Sequence, residues 1–138
     1  MKFARVFVWV WLLLGIAVGC GNLPTRIVSA TLGKNVQAGK IADATAIFAP
    51  GDRMIHLVVE VENITGPTTV GAKWYTFGPP ESLLFESDLA LDPLNTSADF
   101  SLTNSGDWKP GSYKVDVYLN GEKNRTLNFG VKGATDGE

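Results

Sequence analysis

At 138 residues, 45% of them hydrophobic and 19% charged, the chain has the length of a single domain with its own core. Its 12 Lys and Arg against 14 Asp and Glu give a formal net charge of −2, interspersed along the sequence, which excludes the basic stripe of a nucleic-acid binder. One cysteine excludes an intramolecular disulfide, and one histidine leaves zinc or copper without their usual several ligands, so no cofactor is expected.

The first element in chain order is an address. Lys2 and Arg5 lead into an apolar run over 6–18, about 13 residues, short of the roughly 20 that a helix needs to cross a bilayer and suited to a cleavable signal. The run ends in Ala17-Val18-Gly19-Cys20, which resembles the lipobox of bacterial lipoproteins: Gly19 and Cys20 match, and Ala17 stands where Leu is favoured. Ala17 with Gly19 also fits the small-x-small site of ordinary secretion, which would leave the chain soluble outside the cell. The resemblance implies cleavage before Cys20, a thioether-linked diacylglycerol on that cysteine and usually a third acyl chain on the new amino terminus. More than one chain is what stable anchoring to membrane lipid takes. The protein is then expected in the cell envelope, on the extracytoplasmic side of a membrane, and in the outer membrane where the host has one. The expected organisation is a signal over 1–19, a lipidated cysteine and short Pro24-containing tether over 20–26, one domain over 27–132 and a flexible tail over 133–138.

From residue 27 the pattern is all-β, with short runs of β-branched and aromatic residues between Gly, Pro, Asn and Asp clusters and no sustained helical period. The spacing predicts strands over 27–32, 44–48, 54–62, 68–77, 83–91, 99–102, 112–119 and 125–131. Ala49-Pro50-Gly51-Asp52 predicts a turn, because Pro presets φ and Gly tolerates positive φ; Asn120-Gly121 between two alternating runs predicts a tight hairpin.

Successive side chains of a strand point to opposite faces, which separates core from solvent. Ile55, Leu57, Val59 and Val61 form an inward set against His56, Glu60 and Glu62. Val70, Ala72 and Trp74 oppose Lys73 and Tyr75, and Tyr113, Val115, Val117 and Leu119 oppose Lys114, Asp116 and Tyr118. Leu127, Phe129 and Val131 complete the inward set, with Trp74 expected at its centre. At roughly 1.5–3 kcal/mol per fully buried large apolar side chain, such a set offsets chain entropy without a disulfide.

These residues resemble an immunoglobulin-like (fibronectin III-like) sandwich of the kind found in bacterial surface and periplasmic lipoproteins. Trp74 in Val70-Gly71-Ala72-Lys73-Trp74 looks like the Trp that packs between the sheets, and Tyr113 after Lys109-Pro110-Gly111-Ser112 looks like the corner tyrosine of the sixth strand. The likeness covers 44–131. It lacks the two inter-sheet cysteines, and Lys109 stands where an acidic residue is usual. The fold class expected is an all-β, antiparallel immunoglobulin-like β-sandwich of about seven to eight strands, preceded by a signal peptide. Fold alone does not give function.

Catalytic constellations are thin. His56 stands by itself on the outward side of a strand, and no Gly-x-Ser-x-Gly elbow is present. Asp88, Asp92 and Asp99 offer hard oxygen donors, but their spacing matches no EF-hand loop. Glu60 and Glu62 share a flat strand face, where solvation is a simpler role than glycosidase chemistry. The chain is therefore expected to be no enzyme. The alternative is a small envelope hydrolase, or an inhibitor of one, acting through His56 and nearby carboxylates or the stiff loop Phe77-Gly78-Pro79-Pro80-Glu81.

Binding has the better candidates. If Trp74 and Tyr113 face inward, Tyr75 and Tyr118 face outward on neighbouring strands, with Lys73, Lys114 and Asp116 beside them. Tyrosine among mixed charges is common interface chemistry, although cross-strand aromatic pairs also serve to stabilise a sheet. The function expected is a membrane-anchored, non-catalytic binding module for an envelope protein or polysaccharide. Native mass spectrometry of protein extracted from host membranes is expected to show a lipid-sized mass on Cys20 that is absent from Cys20→Ser; an unmodified terminus in the soluble fraction would instead mean secretion.

Overall fold

The computed structural model describes residues 23–133; the signal segment, Cys20, the start of the tether and the tail beyond Gly133 lie outside the described residues. Among those described there are ten strands and no helix. In chain order they are β1 (Arg26–Gly33), β2 (Val36–Gln37), β3 (Lys40–Ile41), β4 (Ile47–Phe48), β5 (Met54–Glu62), β6 (Thr68–Thr76), β7 (Ser82–Leu91), β8 (Ser97–Thr103), β9 (Gly111–Leu119) and β10 (Glu122–Val131).

Two sheets pack face to face as a β-sandwich. One is three-stranded, in the order β1-β5-β8, and the other five-stranded, in the order β4-β10-β9-β6-β7. All pairs are antiparallel except β4, which runs parallel to β10. Alternation decides which side is buried: Ile55, Leu57, Val59 and Val61 of β5 are at most 4% exposed, and they share one cluster with Val70, Ala72 and Trp74 of β6 and Val115 and Val117 of β9. Arg26 and Glu62 mark one pole of the sandwich, together with the β9–β10 hairpin, whose Asn120 and Gly121 take positive φ as an Asn-Gly turn requires. The opposite pole carries the turn 49–52, Phe77, Ser82 and Val131.

The aromatic residues meet on β10. The Phe129 ring lies edge-on to Phe48 and Trp74, at centroid distances of 5.7 and 5.9 Å, and stacks on Tyr113 at 5.4 Å; Trp108 meets Tyr113 edge-on at 6.4 Å. Pairs in these geometries add about 0.5–1.5 kcal/mol each beyond their buried area. Trp74 is fully buried, and its Nε1 is the one buried side-chain polar atom among the described residues with no hydrogen-bond partner. Leaving that donor unpaired costs about 1–3 kcal/mol, which the packing of the ring must exceed.

Tyr113 forms a corner: its hydroxyl donates to the Lys109 carbonyl at 2.5 Å. Because the acceptor is backbone, the side chain at position 109 does not decide whether the corner closes. Trp108 fixes the same loop to the turn 49–52, its amide donating to the Pro50 carbonyl at 2.9 Å and its indole N–H to the Asp52 carbonyl.

Two features differ from the sequence expectation. The stretch 44–48 is shared between sheets: Thr45 donates its amide to Leu32 at 3.0 Å beside β1, and then Ile47 and Phe48 join β10. The strand proper is therefore only two residues long. The unanticipated β2–β3 hairpin, turning at Ala38 and Gly39 with positive φ, folds over the outer side of the three-stranded sheet. Val58, on that outer side, is consequently 3% exposed. Gly33 permits the crossing, since a Cβ there would collide with the Ile41 side chain and lie 2.7 Å from the Asp43 carbonyl oxygen.

Trp74→Ala is expected to lower unfolding free energy by about 3–5 kcal/mol, as removal of a fully buried Trp does. Urea denaturation measures this, and a loss under about 1 kcal/mol would show that the core does not centre on this ring.

Candidate functional site

The candidate site is the outer face of the five-stranded sheet, and cross-strand register builds it. Lys73, Asp116 and Thr126 stand in one row, Tyr75, Lys114 and Asn128 in the next, and Gly71 and Tyr118 in a third. Each tyrosine carries a lysine from the neighbouring strand: Lys73 Nζ lies 4.8 Å from the Tyr118 ring centre and Lys114 Nζ 5.0 Å from that of Tyr75. Carboxylates hold both lysines from β7 and the loop before it, Glu86 at 3.9 Å from Lys73 and Glu81 at 2.9 Å from Lys114.

Asp116 lies on this face but is only 3% exposed. It accepts from the Thr126 hydroxyl at 2.6 Å and faces Lys123 Nζ at 3.4 Å, so it fixes the ladder from inside and offers no surface to a ligand. Lys114 is also largely covered, its side chain 12% exposed. Lys73, Tyr75 and Tyr118 are half-buried and remain reachable.

Gly71 opens the face. With no side chain in its row between β7 and Tyr118, a groove of about 740 Å³ forms, lined by Lys73, Glu86, Asp88, Tyr118 and Asn120. A Cβ at position 71 would lie 2.5 Å from Asp88 Oδ1 and 3.5 Å from Tyr118 Cβ, so any larger residue collides with the Asp88 carboxylate and displaces it from the groove wall. Asn120 closes one end, its Oδ1 accepting from the Thr69 amide at 2.9 Å. Gly71, Glu86 and Asn120 were not legible as site residues; a glycine at an outward strand position is the signal that points to a close approach there.

The other candidates separate. Asp88 lines the groove, Asp92 accepts from the Leu94 and Asn95 amides in the β7–β8 turn, and Asp99 lies 3.4 Å from His56 Nδ1 on the other sheet. Asp99 stays 47% exposed and His56 17%, so the histidine is more covered than an outward strand position implies while solvent screens its partner. Glu62 pairs with Arg26, and Glu60 accepts from the Ser29 hydroxyl at 3.4 Å, so each is engaged with β1.

No protein-family model matches the chain, and no curated protein does. Solved structures do match. An immunoglobulin-like protein from Pseudomonas aeruginosa superposes with a TM-score of 0.54 at 10% identity, over 80% of this chain and 98% of that one. The fold is immunoglobulin-like. An alkylpurine DNA glycosylase from Pseudomonas fluorescens, bound to DNA containing an abasic site analog, matches with a TM-score of 0.50 at 15% identity, and a β-glucosidase from Listeria innocua with 0.48 at 16%. They cover 79% and 80% of this chain but only 30% and 16% of the enzymes, so these likenesses support no enzymatic function for the immunoglobulin-like chain.

Two groups in and behind the site hold their protons more tightly than usual. The hydrogen bond to Glu81 raises the Lys114 ammonium above its ordinary 10.5, against its own desolvation and with help from the Asp116 and Glu81 charges and Tyr75. Burial raises the Tyr113 hydroxyl above 10.0. The stability these groups contribute is complete below those ordinary values and is lost as pH rises through the raised ones. The urea midpoint of the native protein is expected to fall above pH 10.5, and more shallowly for Tyr113→Phe/Lys114→Met; an equally steep fall would show that neither group carries it.

Proposed function

We propose that the protein is a non-catalytic binding module of the cell envelope, tethered to the extracytoplasmic side of a membrane through lipid on Cys20, that holds a polysaccharide along the Lys73–Tyr118 face. The observation that carries this reading is the groove over Gly71. It is preformed, and it places a tyrosine ring, an amide, two carboxylates and an ammonium within one concavity. Such a set supplies donors, acceptors and an apolar surface to a hydroxyl-rich chain.

The ladder beside the groove suits rigid recognition. Each lysine is held over its tyrosine by a carboxylate, so little side-chain freedom remains to be lost on binding. The groove also lies toward the pole at which the described chain begins, which would keep its ligand close to the tether.

Tyr75→Ala/Tyr118→Ala is expected to weaken retention in affinity electrophoresis through the host's envelope polysaccharide by about tenfold or more, with circular dichroism unchanged. Equal retention of the double variant would remove this face from the function.

A further inference from the structure

The five-stranded sheet ends at β7, which pairs with β6 on one side and, among the described residues, with no strand on the other. Edge strands are normally protected by charge, proline or a bulge. Here the protection is uneven. Glu86 and Asp88 guard one half, whereas Leu83, Leu84 and Phe85 are 48%, 43% and 48% exposed in sequence. The bulge opposite Trp74 and Tyr75 gives this half apolar side chains on both faces: Phe85 shares the inward side of Trp74, Leu83 the outward side of Tyr75. Phe85 stays 48% exposed even on that inward side.

Charge limits what can pair there. From Glu81 to Asp92 the chain carries Glu86 and Asp88 as well and no Lys or Arg. A second copy added antiparallel in the registers centred on Glu86 or Ser87 would set Glu86 against Glu86 or Asp88 of its mate, whereas a basic strand meets both carboxylates favourably. A complementary strand carries large apolar residues opposite Leu83–Phe85 and basic residues opposite Glu86 and Asp88.

We propose that the free edge of β7 is a docking site for an extended apolar and basic segment of a partner protein, which adds to the sheet as a further strand. Backbone hydrogen bonds supply the attachment, the apolar half supplies contact area, and the two carboxylates favour a basic segment and set its register. This surface shares Glu86 and Asp88 with the rim of the groove but is carried by the β7 backbone and Leu83–Phe85, which the groove does not use, and it does not depend on the lipid.

The test uses the full chain in mild detergent and a fluorescent peptide, acetyl-Lys-Thr-Lys-Val-Val-Val-Thr-amide, followed by anisotropy at low salt. Saturable binding is expected, weakened about tenfold or more when alternate peptide amides are N-methylated or when both lysines are replaced by glutamate. Glu86→Lys/Asp88→Lys is expected to reverse the preference between the two peptides, and Leu84→Pro to abolish binding to either. No saturable binding, equal binding of the N-methylated peptide, or an unchanged preference in the charge-reversed variant would overturn the proposal. Concentration-dependent dimerisation in sedimentation velocity, lost in Leu84→Pro, would assign the edge to a second copy instead. Binding that appears only after truncation at Gly133 would assign it to the chain's own tail. Tyr75→Ala/Tyr118→Ala keeps peptide binding in every supporting outcome, so failure of the groove and failure of the edge are read separately.

Discussion

Everything else in the molecule depends on the joint at Phe129. With no second cysteine to bridge the sheets, the order of the sandwich rests on ring packing. Phe129 is the ring that touches Phe48, Trp74 and Tyr113 together. Through Tyr113 the joint continues to Trp108 and so to the loops at one pole, which Tyr113 and Trp108 fasten by donating to backbone carbonyls. A core held by shape in this way has few alternative packings, because ring edges and faces cannot be exchanged without opening voids.

That joint also sets the outer face. A one-residue slip would turn every side chain of a strand over, so burying Trp74 and Val115 obliges Lys73, Tyr75, Lys114 and Asp116 to face the other way. The lysine-on-tyrosine rows follow from antiparallel register, and the groove follows from the one position in them that lacks a side chain. Asp116 shows the limit of a surface reading: it stands on the solvent side, yet Thr126 and Lys123 from β10 close over it.

The parts legible in the sequence were those governed by period and turn chemistry. Alternation over β5, β6 and β9 located the inward sets, and Asn120-Gly121 located the last hairpin. The parts that escaped depend on long-range geometry. The β2–β3 hairpin has two-residue strands and puts Ala38, not Asn or Gly, at positive φ, so neither alternation nor turn composition announces it. The handover at Ala44–Phe48 is invisible because a strand that changes sheets has the same composition as one that does not. The groove needed knowledge of which residue on β7 lies beside Gly71, and registers between strands are not written in either strand alone.

The separation of the two ends of the described chain has a mechanical side. β1 begins at one pole and β10 ends at the other, about 30 Å apart for strands of this length. Tension between them runs along the strands, so it loads the rungs of the β1–β5 ladder and the β4–β10 pair side by side instead of peeling them one after another. A domain pulled at those two ends therefore resists by shear along its strands.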